Sequence, residues 1–192
     1  MSGPTVAQTW RMPSTRAEGP RRPIPPLDAA ALERLALRYV ERFATTRGKL
    51  TAYLQRKIRE RGWDGPPPDP VALAERMAAL GYVDDLAFAE ARAAAMARRG
   101  LGARRVKQDF RAAGIEESDA AELAPAIAGR AAEAALAFAR RRRIGPYGDG
   151  DPDRAVREKQ LAAMLRAGHG FDLARRIVAL APGQSLGDCD DG

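Results

Sequence analysis

At 192 residues with 45% hydrophobic but only 6% aromatic content, the chain has apolar material enough for a core and a composition favouring closely packed helices over sheets. No segment approaches the roughly 18 uninterrupted apolar residues of a membrane span, no apolar signal-peptide core opens the chain, and one cysteine, Cys189, excludes an internal disulfide or a cysteine-based zinc site, so a cytoplasmic location is expected. The formal net charge of +7 points to a polyanionic partner, either nucleic acid or an acidic protein surface.

In chain order, Pro4, Pro13, Pro20, Pro23, Pro25 and Pro26 predict a disordered tail over residues 1–26. Asp28 is an N-cap, and Leu32, Leu35, Tyr39, Val40 and Phe43 follow at helical spacing, with Gly48 expected to end or bend that helix. A second helix runs from about Thr51 to Arg61 and stops at Gly62. Asp64 to Pro68 reads as an extended linker. Asp69-Pro70 opens a helix closed by Gly81. Asp84 or Asp85 caps the next, with Val83 and Phe88 spaced as a hydrophobic staple. After Gly100-Leu101-Gly102 comes a helix to Ala113, then one from Ser118 that Pro125 should break or kink before a long helix to Arg143. Residues 145–152 form a loop, helices cover about 153–167 and 171–180, and the acidic residues 182–192 are expected to be disordered.

A repeat organises these elements. Leu54, Ile58, Gly62 and Trp63 recur 52 positions later as Val106, Phe110, Gly114 and Ile115, and Phe110, Gly114 and Ile115 recur 54 positions later as Met164, Gly168 and His169. Each glycine has the position of a left-handed C-cap, after which the chain packs back on the helix. The pairs expected from that geometry are Ile58 with Trp63, Met77 with Tyr82, Phe110 with Ile115 and Met164 with His169. The boundaries read this way are a first repeat over 27–63, a linker over 64–68, a second repeat over 69–116 and a third over 117–181.

Catalytic groups are scarce. His169 is the only histidine and fills a packing slot of the repeat, and the serines number four, Ser2, Ser14, Ser118 and Ser185. A nucleophile–base triad has little to draw on, and no enzyme activity, cofactor or metal is expected. Asp149, Asp151 and Asp153 alternate like a calcium loop, but Arg154 stands at the turn glycine and Gln160 at the bidentate glutamate, so a solvated loop ending in a helix cap fits better. Basic clusters recur instead: Arg98, Arg99, Arg104, Arg105, Lys107 and Arg111 around one turn, then Arg140, Arg141, Arg142 and Arg143, then Arg157 and Lys159. A rival reading takes the helix from Arg104 as a DNA-recognition helix. Its only amide is Gln108, which favours phosphate contact over base readout.

Gly81-Tyr82-Val83-Asp84-Asp85-Leu86-Ala87-Phe88-Ala89, Arg98-Arg99-Gly100-Leu101-Gly102-Ala103-Arg104-Arg105-Val106 and Phe110-Arg111-Ala112-Ala113-Gly114-Ile115 together resemble the central motif of the RecX regulators of the RecA recombinase. Leu136-Ala137-Phe138-Ala139-Arg140-Arg141 and the stretch from Lys159 to Gly168 are similar to that family's C-terminal part. The resemblance covers about 32–180. It implies an all-α, elongated and curved array of three tandem three-helix repeats, flanked by the two disordered tails. It implies binding to RecA and to its filament on single-stranded DNA, with lowered ATPase and strand-exchange activity in DNA repair and recombination, and weak direct DNA binding. A monomer is expected. The family supplies no catalytic residues; the basic clusters from Arg98 to Lys159, on a concave face, are the expected contacts. Gln160 departs from the apolar pattern, which predicts a rotated helix with Leu161 and Leu165 inward.

Overall fold

The structure, a computed structural model, describes residues 25–189; the tail expected over 1–26 thus lies outside the described residues as far as 24, as do 190–192. The described residues form nine α-helices: α1 (Ala29–Arg42), α2 (Arg47–Arg61), α3 (Pro70–Ala79), α4 (Asp85–Arg98), α5 (Ala103–Ala113), α6 (Glu117–Gly129), α7 (Ala131–Arg142), α8 (Arg154–Arg166) and α9 (Phe171–Ala179). Five begin on a side-chain cap, in which Asp28, Thr46, Asp69, Asp84 or Asp153 accepts an N–H of the first turn at 2.6–3.1 Å. No helix among them is long and apolar enough to cross a membrane.

Five helices end in the expected back-turn. Tyr82, Leu101, Ile115, Ile144 and His169 each donate their N–H to the carbonyl five residues earlier, at 2.9–3.2 Å. Four of these turns use a glycine; the fifth uses Arg143 at φ 52°, the one non-glycine at positive φ among the described residues. Ile58 and Trp63, expected as a pair, both rest on the first core, but without the back-turn hydrogen bond of the other helix ends. Gly62 has ψ 173°, which sends the chain away, and the residues around it pair with Leu27 instead: Leu27 N–H donates to the Gly62 carbonyl at 3.0 Å and Asp64 N–H to the Leu27 carbonyl at 2.8 Å.

Apolar side chains divide the helices into three modules. Leu32, Leu50, Leu54, Leu73 and Met77 close a core among α1, α2 and α3; Met96, Val106 and Phe110 close one among α4, α5 and α6; Ala139, Met164 and Ile177 close one among α7, α8 and α9. This division differs from the boundaries read in the sequence. Residues 64–68 lie inside module one, where the Trp63 indole donates to the Pro66 carbonyl at 2.6 Å, and α6 belongs with module two. Val83 joins the first core and Phe88 the second, so they bridge modules and form no staple. Pro125 sits within α6, because Leu123 and Ile127 anchor the helix on either side of it, and the break falls at Arg130. In α8, Leu161 and Leu165 do lie against the third core, and the buried Gln160 Oε1 has no partner among the described residues.

The modules join through helix ends. Gly48, expected to terminate the first helix, lies in the first turn of α2, where a Cβ would come within 2.7 Å of the Gly114 backbone. The Thr46 hydroxyl, at the N-cap of α2, donates to the Ala113 carbonyl at the end of α5. Fifty-four residues on, the joint recurs: Gly102, the N-cap of α5, abuts Gly168 so closely that a Cβ would collide with its carbonyl. There Gly102 N–H donates to the Ala167 carbonyl at 2.9 Å and Arg104 N–H to the Gly168 carbonyl at 3.2 Å. At the α5–α8 joint, donors that open one helix thus meet acceptors that close another, and at the α2–α5 joint the Thr46 hydroxyl takes the donor's part. Helices α2, α5 and α8 form an end-to-end column with a contour of about 60 Å at ~1.5 Å per residue.

The C-terminal tail is less free than its composition suggests. Gly183 N–H donates to the Pro146 carbonyl at 3.0 Å, Leu186 rests on the third core, and Arg176 donates to the Leu186 carbonyl at 3.3 Å. The disorder expected from 182 onward is therefore not present over 183–187, because one leucine in the acidic run finds apolar surface to cover.

Candidate partner-binding surface

Several residues of the Gly81 to Ile115 motif hold helix ends and joints, whereas Tyr82, expected to pack on Met77, is 52% exposed. Asp84 caps α4. Its neighbour Asp85 is buried and faces the other way, accepting the Arg47 backbone N–H at 2.8 Å and its Nε at 3.1 Å. Arg47 Nη2 also reaches Asp119 at 3.4 Å and Glu116 at 3.5 Å, so one guanidinium from module one is held by three carboxylates of module two. The Asp85 hydrogen bond is the main reason the Arg47 pKa is raised further. Phe88 is covered by Lys49, whose Nζ lies 4.4 Å from the ring centroid. Arg47 is a functional residue of the joint that sequence reasoning missed; its only local sign is a cation directly after a helix cap.

Between modules two and three the turn Gly100 to Gly102 is squeezed. A Cβ on Gly100 would meet the Phe138 backbone and the Arg141 guanidinium at 2.6 Å. His169 is buried beneath it, its Nε2–H donating to the Gly100 carbonyl at 3.2 Å with the ring tilted on Phe138. The carbonyl only accepts, so Nε2 carries the proton. Desolvation pushes the imidazole below its usual pKa, and the bond to Gly100 opposes that shift.

All twelve cations singled out in the sequence are exposed, but they differ in their commitments. Arg98 and Arg99 end α4 and make no ion pair among the described residues. Arg141 leans over Gly100 toward the same helix end, where the dipole favours it. Arg104 donates to the Leu165 carbonyl at 3.0 Å, and Arg105 to Gln108 at 3.2 Å. Arg104 and Arg105, with Arg166 of module three, line a groove of about 410 Å³ that crosses the joint. Arg166 was not among the residues expected; it lies one turn from the C-cap glycine and becomes a neighbour only through the joint.

Most of the remaining cations are engaged. Lys107 pairs with Glu117 at 2.8 Å and holds that carboxyl below its usual range. Arg140 lies 5.0 Å from the Tyr147 centroid and Arg142 6.0 Å from that of Phe138. Arg143 pairs with Asp149 at 3.3 Å and Arg157 with Asp151, while Asp153 caps α8, so the aspartate run is a solvated, charge-balanced loop. Arg111 and Lys159 are exposed without an ion pair among the described residues. The structure therefore brings Arg98, Arg99, Arg104, Arg105, Arg141 and Arg166 to one joint. It leaves the block around Arg140, Arg142, Arg143 and Arg157 tied into module three.

A family model described as RecX, second three-helix domain, matches residues 84–123, which run from the cap of α4 into α6. The chain is 33% identical over 178 residues to the regulatory protein RecX of Thermobifida fusca, covering 87% of this chain and 90% of the relative. It is 30% identical over 151 residues to the protein of that name from Agrobacterium fabrum, 76% and 80% of the two chains. With the Myxococcus xanthus protein it shares 28% over 176 residues, 87% and 94%.

Proposed function

The chain belongs to the RecX family of regulatory proteins, and from that premise we propose that it binds the RecA recombinase and its filament on single-stranded DNA, without catalysis of its own, and lowers filament growth, ATP hydrolysis and strand exchange. The observation that supports this reading is the joint between modules two and three. There, arginines of both modules that make no ion pair among the described residues stand around a turn packed closely at Gly100 and Gly102, so positive charge is presented to an acidic surface or phosphate row. Arg98, Arg99, Arg104 and Arg105 make the contact, with Arg141 and Arg166 beside them.

The test is ATP hydrolysis by RecA on single-stranded DNA with this chain added. Inhibition is expected from the native chain, and reversal of Arg98, Arg99, Arg104 and Arg105 to Glu should raise the concentration needed by at least about tenfold, the effect of ~1.4 kcal/mol. Absence of inhibition at large excess, or equal inhibition by the reversed variant, would overturn the reading.

A further inference from the structure

Helices α1 and α2 are strongly basic. Residues 29–61 carry nine cationic side chains and three carboxylates, a net of +6 out of the chain's +7, whereas residues 62–192 carry 19 cations and 20 carboxylates. Module one thus has a strongly basic α1–α2 pair, although with α3 included residues 29–79 carry the same net +4 as residues 131–179 of module three. It also carries the chain's one cluster of three aromatic rings among the described residues. Tyr39 and Tyr53 stack at 4.2 Å with planes 21° apart, and Phe43 lies 5.3 Å from Tyr39. The two tyrosines rest on the first core, but Phe43 is 50% exposed.

Cations surround these rings. Arg42 lies 5.5 Å from the Phe43 centroid, and Arg56 and Lys57 lie 5.6 and 5.9 Å from that of Tyr53. Arg56 and Lys57 share Glu60; among the described residues Arg42 makes no ion pair, nor does Arg38 one turn before it. Ring faces bordered by mobile cations form the composition that takes stacked bases and their phosphates together.

We propose that this face of α1 and α2 is a stacking platform for single-stranded DNA. An unpaired base lies on the open face of Phe43, whose ring is tilted 50° from that of Tyr39, and Arg38, Arg42, Arg56 and Lys57 meet the phosphates on either side. A duplex keeps its base faces in its own stack, and an acidic protein surface offers carboxylates without flat π faces, so neither uses the rings. The choice of DNA rests on the regulatory reading, which places an unpaired DNA strand beside the chain. The site itself is separate from the joint arginines.

Anisotropy of a labelled oligo(dT) with the full chain tests this without any recombinase, so its failure leaves the regulatory reading standing. Phe43→Ala should weaken binding at least about fivefold and Phe43→Trp should restore it, with both variants melting like the native chain. Replacing Arg42 and Arg56 by Gln should flatten the log K against log salt slope by about 1.4. Undiminished binding by Phe43→Ala, equal affinity for a duplex, or tighter binding of oligo(U) than of oligo(dT) would overturn the proposal. So would the absence of any oligo(dT) binding.

Discussion

His169 occupies the slot that Ile115 fills one module earlier, and the difference between the two is a proton. The imidazole is buried, so the folded chain binds that proton at lower pH than the unfolded chain, whose histidine titrates near 6.5. Above that pH neither state is protonated and the joint keeps its full stability. As pH falls from about 6.5 through the depressed folded value, protonation favours the unfolded state and stability declines. The carboxylates of Glu60, Asp109 and Glu117 are held below ordinary values of 4.5, 3.8 and 4.5, so their contributions are lost only in more acid solution. The urea midpoint should therefore drop between pH 7 and pH 5 in the native chain and stay level in His169→Ile. An unchanged slope in the variant would place the titrating group elsewhere. That His169 is structural was legible from the repeat. That it hydrogen-bonds Gly100 was not, since 69 residues separate them.

Helix ends carry the coupling between modules, and Gly102 isolates it. Its φ is −81°, open to any residue, so a substitution there meets only the collision with Gly168. Gly102→Ala should destabilise by about 1–3 kcal/mol and expose the Arg104 amide to hydrogen exchange. Gly129→Ala, where nothing lies within 4 Å, should be neutral or slightly stabilising. Equal melting of the two variants would mean the joint yields without strain. At this scale the sequence was informative about local turns: caps at Asp28, Asp69, Asp84 and Asp153, and back-turns at Gly81, Gly114 and Gly168, all follow from nearby residues. It was silent on partners across modules. Asp84 and Asp85 fit the same cap equally well, and only Arg47 distinguishes them. Likewise the cations were visible as residue types, but Glu117, Tyr147 and Asp149, which engage some of them, become neighbours only after folding.

Three separate cores joined end to end make a molecule whose stability is not one quantity. Phe110 sits in the middle core, between both joints, and Leu54 in the first core. Each change to Ala removes a fully buried side chain at about 2–5 kcal/mol. Leu54→Ala should lower hydrogen-exchange protection in α1 to α3 while α7 to α9 keep theirs, whereas Phe110→Ala should lower it in all three modules. A uniform loss from both variants would show a single cooperative unit. The grouping of α3 with α1 and α2 escaped the sequence reading because the prolines before it look like a linker, although the chain there is pinned by Trp63 and Leu27.

A head-to-tail joint between similar units has no built-in stopping point, and identical surfaces of that kind grow into open fibres. Here the two outer ends are finished locally. Leu27 N–H takes up the Gly62 carbonyl at the exit of α2, and the Asp153 carboxylate accepts the Val156 N–H at the entrance of α8. Each extremity thus satisfies with a nearby residue part of what the inner joints satisfy with a neighbouring module.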